Sequence, residues 1–314
     1  MNPERYIVHH ETRYAYTAPV SQSWQLARLT PRRLPWQTLL SYSLEIEPRA
    51  NERRDELDSF GNTVTHFGLH GAHRTLRVRM ECLVEVTARP LVDPRAALQA
   101  QIQAQIQARE QPLAGPAPLA WEAVREAIRR EPALDDLVPA SMSEPTPLVP
   151  LSEGARQYAS RSFGSGRPWL EAAAELMCRI HDDFEFEPGA TTVSTSVDEV
   201  LYQKRGVCQD FAHLMLACLR GLGLPARYVS GYLLTDPPPG MPRLMGVDAS
   251  HAWVAAYSPQ HGWVEFDPTN NQLADERYIT LTWGADFADV VPLRGVIFGG
   301  GDQRMNVAVS VIPA

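Results

Sequence analysis

The chain has 314 residues, 44% hydrophobic and 21% charged, with a formal net charge of −8. That is the make-up of a globular protein with a sizeable core, in two domains or one large one. The negative balance argues against nucleic acid and anionic membrane as main partners, since both select clustered Lys and Arg.

The first ninety residues alternate. His10, Thr12, Tyr14 and Tyr16 share one face of a candidate strand, and Tyr42, Leu44 and Ile46 line one face of another. Asp58-Ser59-Phe60-Gly61-Asn62-Thr63-Val64 reads as a strand end, a Gly-Asn turn and a strand start. Leu76, Val78, Met80, Cys82, Val84 and Val86 are apolar at every second position, with Arg77, Arg79, Glu81 and Glu85 between them. Period two predicts one buried and one wet face, so Cys82 is expected in a core. Such strands with turn signals suggest an antiparallel sandwich over residues 1–92.

From Pro94 the character changes, and residues 93–150 read as a helical and Pro-rich connector. The Ala/Gln run 96–108 carries a thin stripe of Leu98, Ile102 and Ile106, which suits a docked helix or a linker. Pro112, Pro116 and Pro118 break it, helical spacing resumes over Trp121 to Ile128, and Pro145, Pro147 and Pro150 close the segment. Two helices are expected next, one from Glu153 to Ser160 and one containing Leu170, Ala173, Met177, Ile180 and Phe184. Ser196-Val197-Asp198-Glu199 is a capping box for a short helix through Tyr202. Lys204-Arg205-Gly206 ends that helix and delivers Cys208 to the start of the next one, which Gly223-Leu224-Pro225 stops. Three strands follow, Arg227 to Leu234, Ala249 to Tyr257 and Trp263 to Asp267, with a stiff Pro-rich loop at 236–242. A Gly299-Gly300-Gly301 bend then precedes a last strand with Met305, Val307, Val309 and Val311 in alternation.

No run approaches the roughly 18 apolar residues that cross a bilayer. The opening Met1-Asn2-Pro3-Glu4-Arg5-Tyr6 lacks the apolar centre of a secretory signal, so the expected compartment is the cytoplasm. Cys82, Cys178, Cys208 and Cys218 form no Cys-x-x-Cys pair, and no His pair sits at zinc spacing. Neither a metal site nor a disulfide framework nor any cofactor is expected. Cys178 and Cys218 fall within apolar helical stripes. Cys208 is different, because the free amides and dipole of a helix N-terminus favour a thiolate.

A base is needed elsewhere. A short hairpin loop around Pro259 predicts His251 opposite Asp267 on one face, with Trp253 opposite Glu265. Cross-strand Cβ atoms are about 4.5–5.5 Å apart, within reach of a His–carboxylate hydrogen bond. A one-residue slip would break the pairing. His213 lies five residues beyond Cys208, about 140° around the helix, and is a poor base for it. Cys208, His251 and Asp267 are then the parts of a nucleophile–base–orienter set.

The blocks Gly206-Val207-Cys208-Gln209-Asp210-Phe211-Ala212-His213, Ser250-His251-Ala252-Trp253-Val254 and Trp263-Val264-Glu265-Phe266-Asp267-Pro268-Thr269-Asn270 resemble the three signature blocks of the bacterial transglutaminase-like superfamily, whose members include cysteine-protease types. The resemblance is strongest over residues 155–270. It implies an α+β fold: a papain-like catalytic core of helices packed on an antiparallel sheet over 151–314, preceded by the N-terminal β domain. It also implies Cys208 as nucleophile, His251 as base and Asp267 as orienter. The expected reaction is acyl transfer at amide bonds of a peptide or protein substrate, most simply hydrolysis. The alternatives are a protein-glutamine transglutaminase with an amine acceptor and a peptide-binding module that keeps the fold without catalysis. The Cys208 backbone amide is an expected oxyanion donor. Gln209 and Trp169 are candidates for the second donor, and Asp210 and Trp253 are further site-lining candidates. Asp210 either satisfies free amides of the first helical turn or positions a site loop.

Overall fold

The computed structural model describes residues 3–89, 118–130, 140–235 and 250–314. The Ala/Gln run 96–108 and the loop 236–242 lie outside the described residues.

Two 24-residue strands, β1 (Glu4–Ala27) and β4 (Thr63–Val86), form the axis of the N-terminal domain. They pair antiparallel, with register shifts between Ala15 and Val20 and between Val20 and Gln22 that separate two halves. β2 (Gln37–Glu47) flanks one half of β4, and β3 (Glu52–Leu57) flanks the other. One apolar cluster gathers residues from both halves, among them Val8, Val78 and Met80 on one side and Ala27, Phe67 and Leu69 on the other. The predicted alternation holds along β4: Leu76, Val78, Met80, Cys82, Val84 and Val86 are all buried.

The helical part begins with α1 (Trp121–Arg130), followed by α2 (Glu153–Ser160) and α3 (Trp169–Asp183). A two-residue strand β5 (Glu185–Phe186) follows. The short helix α4 (Val197–Gln203) starts where the capping box predicts, with Ser196 accepting the Glu199 N–H. Lys204 ends it in a left-handed conformation, β6 (Arg205–Gly206) pairs with β5, and α5 (Cys208–Gly221) begins. Nearly every residue of α5 from Asp210 to Arg220 is buried, because helices pack on one side of it and a sheet on the other.

That sheet has the order β10-β9-β8-β7-β11. Its strands are β7 (Ala226–Leu233), β8 (Ser250–Ser258), β9 (Gly262–Asp267), β10 (Gln272–Leu273) and β11 (Tyr278–Gly284). Ala252, Val254, Ala256, Val264 and Phe266 share one core with α5. A short helix α6 (Phe287–Val290) leads into β12 (Leu293–Gly299) and β13 (Gln303–Pro313).

The expected catalytic segment 151–314 contains these last two strands, yet both hydrogen-bond to β1. β1 has one edge occupied by β4. The alternating Val309 and Val311 add their buried face to the same core when β13 pairs with the other edge. The chain thus returns to its beginning and closes the N-terminal sheet. Tyr232, Ile279 and Leu281 of the five-stranded sheet join the N-terminal core, so the two parts share an apolar seam.

Candidate active site

Cys208 is the first residue of α5 and half-buried. Its position is set by Asp210, whose carboxylate accepts the Val207 N–H at 2.7 Å and the Thr191 hydroxyl at 2.6 Å. The first contact closes the reciprocal side of a capping box; the second ties the 188–195 loop to the helix. Burial raises the Asp210 pKa against those two bonds. Gly206 is required there, since a Cβ would lie 2.8 Å from Asp210 Oδ2. Asp210 therefore both caps the helix and anchors the 188–195 loop to it.

The β8–β9 register differs from the predicted one by two residues. Ser258 pairs with Gly262 and Val254 with Phe266, across the three-residue loop Pro259-Gln260-His261. Continued one pair further, that register sets Asp267 opposite Trp253, diagonal to His251. An even slip keeps both side chains on the same face, and the diagonal is spanned by a His251 Nε2–Asp267 Oδ2 hydrogen bond of 2.7 Å. Trp253 reaches Glu265 across the parallel diagonal, donating to Oε2 at 2.8 Å. Gly231 is the cross-strand partner of His251 on β7; a Cβ there would lie 2.7 Å from the Trp253 ring, so its absence makes room for the indole.

Asp267 is fully buried and saturated. Oδ2 accepts from His251, from Tyr278 Oη at 2.6 Å and from Asn270 Nδ2 at 2.7 Å. Oδ1 accepts the Thr269 and Asn270 backbone N–H groups at 2.8 and 3.2 Å. Burial would raise its pKa, but the donors, His251 first among them, hold it below the usual carboxylate value. For His251, burial lowers the pKa, and the hydrogen bonds to Asp267 and Cys208 outweigh it, lifting the imidazole to about 10. With Nε2 committed to Asp267, Nδ1 is the nitrogen left for the thiol. The arrangement holds a proton between a sulfur and a carboxylate at neutral pH.

Residues 6–85 match the bacterial transglutaminase-like N-terminal region, and residues 156–268 match the transglutaminase-like superfamily. An uncharacterized protein of Mycobacterium tuberculosis is 39% identical over 318 residues, covering 98% of this chain and 93% of that protein. The chain belongs to the transglutaminase-like superfamily. A protein-glutamine gamma-glutamyltransferase of Pseudomonas aeruginosa is 37% identical over 115 residues, which are 35% of this chain and 17% of that protein. The crystal structure of a candidate cysteine protease from Cytophaga hutchinsonii superposes with a TM-score of 0.71 at 19% identity, covering 100% of this chain and 91% of that one, and shares the fold.

Within this transglutaminase-like site, the other sequence candidates separate. Gln209 is half-buried in the first turn of α5, beside the thiol in sequence. Trp169 does not line the site: it is 1% exposed, packed on Phe266 and stacked on His261 at the turn of the β8–β9 hairpin. His261 lies in the turn past the end of β8 opposite to His251, and the Trp169 indole packs between that turn and Phe266. Trp253 is also fully buried and lies under the site, its indole stacked on His251 with centroids 6.0 Å apart.

His213 accepts the Phe287 N–H, and burial drops its pKa to about 4, which leaves it neutral and occupied. Burial pushes the Cys82 thiol up to about 12 and raises that of Cys218, so both are inert. Among the described residues no cluster of His, Cys, Asp and Glu could hold a metal ion, and no helix is long and apolar enough to cross a membrane.

Three participants were missed by the sequence reading. Tyr278 belongs to β11, whose Tyr278, Thr280 and Thr282 alternate with Ile279, Leu281 and Trp283 at period two, a signal available in the sequence. Asn270 stands in the third motif block without a visible role. Arg89 comes from the N-terminal domain; it donates to Glu265 Oε2 at 3.2 Å and to the backbone carbonyls of Asp275 and Tyr278. Glu265 thus anchors the Trp253 indole under His251 with a cation supplied from the other domain.

Proposed function

We propose that the chain catalyses thiol-dependent acyl transfer at amide bonds, with Cys208 as nucleophile, His251 as acid–base and Asp267 as orienter, and that its ordinary reaction is hydrolysis of peptide-like amides. The observation that supports this reading is the 2.7 Å hydrogen bond from His251 Nε2 to the fully buried Asp267 carboxylate, with Cys208 at a helix N-terminus.

Each proposed step uses a group of this site. The Cys208 sulfur, its proton resident on His251, attacks the amide carbonyl and forms a C–S bond. The Cys208 backbone N–H, unpaired within the first turn, donates to the developing oxyanion. His251 delivers its proton to the leaving nitrogen as the C–N bond breaks, giving a thioester and a free amine. His251, now neutral, takes a proton from water as the hydroxyl adds to the thioester. Breaking of the C–S bond releases a carboxylic acid and returns the sulfur as a thiolate beside the imidazolium formed in that step.

A second reading replaces water by a primary amine. The match to part of the Pseudomonas transglutaminase favours keeping it in view. A peptide library that includes glutamine-containing members, incubated with and without a primary amine, separates the two by product mass. Hydrolysis adds the mass of water at the cut; transfer adds the amine less ammonia. Turnover that persists in Cys208→Ala would remove both readings.

A further inference from the structure

We infer that Tyr278 is a positioning residue for this chemistry, its hydroxyl fixing the Asp267 carboxylate in the orientation that His251 requires. The inference rests on the acyl-transfer reading above.

Tyr278 opens β11, the edge strand beyond β7, and is paired there with Leu233. Its ring meets the Trp253 indole edge-on at 5.3 Å and lies 6.1 Å from the His251 ring. Its hydroxyl sits between two polar partners, Asp267 Oδ2 at 2.6 Å and Gln272 Nε2 at 2.5 Å. The chemistry of those partners decides where the phenolic proton goes. Arg277 Nη2 donates to Gln272 Oε1 at 2.9 Å, and a guanidinium has no acceptor, so the Gln272 amide is oriented with its nitrogen toward Tyr278. That nitrogen donates, and the Tyr278 oxygen must accept. The one phenolic proton is left for Asp267. Arg277 is itself held by Asp275, at 2.9 Å from Nε to Oδ2.

The result is a one-way chain of donors, Arg277 to Gln272 to Tyr278 to Asp267, in which each bond polarises the next. Its importance lies in where the restraints come from. The Thr269 and Asn270 donors belong to Asp267's own loop and move with it. Among the described residues, Tyr278 alone ties the carboxylate to a strand other than the one that carries His251. The same bond favours the ionised form of Asp267, which is buried without water contact. Removing the hydroxyl therefore does two things. It frees the carboxylate to rotate, and it makes protonation of Asp267 easier, so function that needs the ionised carboxylate is lost at higher pH as the pH falls.

The test needs no natural substrate. The rate of Cys208 alkylation by iodoacetamide is followed against pH by peptide mapping in the wild type, Tyr278→Phe and Gln272→Leu. Tyr278→Phe is expected to slow alkylation at neutral pH roughly 10-fold and to move the acid limb up by about one pH unit, as loss of one hydrogen bond to a charged group implies. Gln272→Leu, which keeps the hydroxyl and releases its orientation, should shift both in the same direction by a smaller amount, roughly 3-fold in rate. A reactive wild type with rate and acid limb unchanged in Tyr278→Phe would overturn the role of Tyr278 and leave the acyl-transfer reading standing. A uniform fall in rate with an unmoved acid limb would assign Tyr278 to packing alone and overturn it as well. A wild-type Cys208 that reacts no faster than Cys82 would sink the acyl-transfer reading itself, and Tyr278 with it.

Discussion

Replacing Asp267 by asparagine removes one charge from a buried pair while leaving its shape nearly unchanged. His251 stands at about 10, against an ordinary imidazole value of 6.5: burial lowers it, and the bonds to Asp267 and Cys208 raise it further than burial lowers it. A raised folded-state pKa contributes stability that is complete below about pH 6.5 and is lost as pH climbs to 10. At about 1.4 kcal/mol per pH unit the whole rise is worth at most about 5 kcal/mol, shared between Asp267 and Cys208. Truncating one partner of a buried pair costs about 3–5 kcal/mol. Asp267→Asn should therefore be about 3 kcal/mol less stable than wild type at pH 6, with the gap narrowing to about 1 kcal/mol at pH 10, where His251 is half deprotonated in the wild type and neutral in the variant. Urea unfolding at the two pH values measures the gap, and the imidazole resonances of His251 give its titration directly. A gap of equal size at both pH values, or a His251 that still carries its proton above pH 9 in the variant, would refute the reasoning.

Cys208→Ala should abolish amide turnover and lower urea stability by about 1–2 kcal/mol at pH 6, its share of the His251 rise, with the loss shrinking toward pH 10, since its helix stays capped by Asp210. Asp210→Ala removes the acceptor of the Val207 N–H and the anchor of Thr191. Its expected costs are about 1–2 kcal/mol in unfolding and a slower Cys208 alkylation, and normal reactivity would limit Asp210 to capping. Arg89→Met takes away the one cation hydrogen-bonded to Glu265 among the described residues, leaving the Trp253 donor and the nearby charge of Arg227. A loss of about 3 kcal/mol by urea unfolding is expected, and a loss below about 0.5 kcal/mol would show that Glu265 needs no partner from the N-terminal domain. His213 has the opposite pH sign to His251. Its pKa, lowered to about 4 by burial, contributes stability above pH 6.5 that is lost as pH falls toward 4. His213→Gln should flatten the acid side of the stability profile over that window.

The amino-acid sequence by itself determined the local physics of the site. Cys208 was legible as a helix-start thiol because the capping box ending at Glu199, the turn at Lys204-Arg205-Gly206 and the buried run after Asp210 are all local signals. The buried face of β4 was legible for the same reason, since period two shows in any six consecutive alternating residues. Even the His251–Asp267 contact followed from parity alone: the hairpin register came out two residues away from the expected one, and the shared face survived because an even slip preserves it.

Tertiary structure decided what depends on partners far apart in the chain. Trp169 looked available to the site, but it packs with His261 at the far end of the hairpin, and no local pattern records which end of a strand a helix start will meet. β12 and β13 pair with β1, some 290 residues earlier in the chain, because β1 offers a free edge that only the assembled sheet displays. Arg89, Glu265 and Trp253 form a support for His251 that crosses the domain seam. The chain from Arg277 through Gln272 aims the Tyr278 hydroxyl proton at the Asp267 carboxylate by the orientation of one amide. A nucleophile can be announced by its own helix, whereas the charge and orientation of its partners are set by burial and by donors that only the folded chain brings within hydrogen-bond distance.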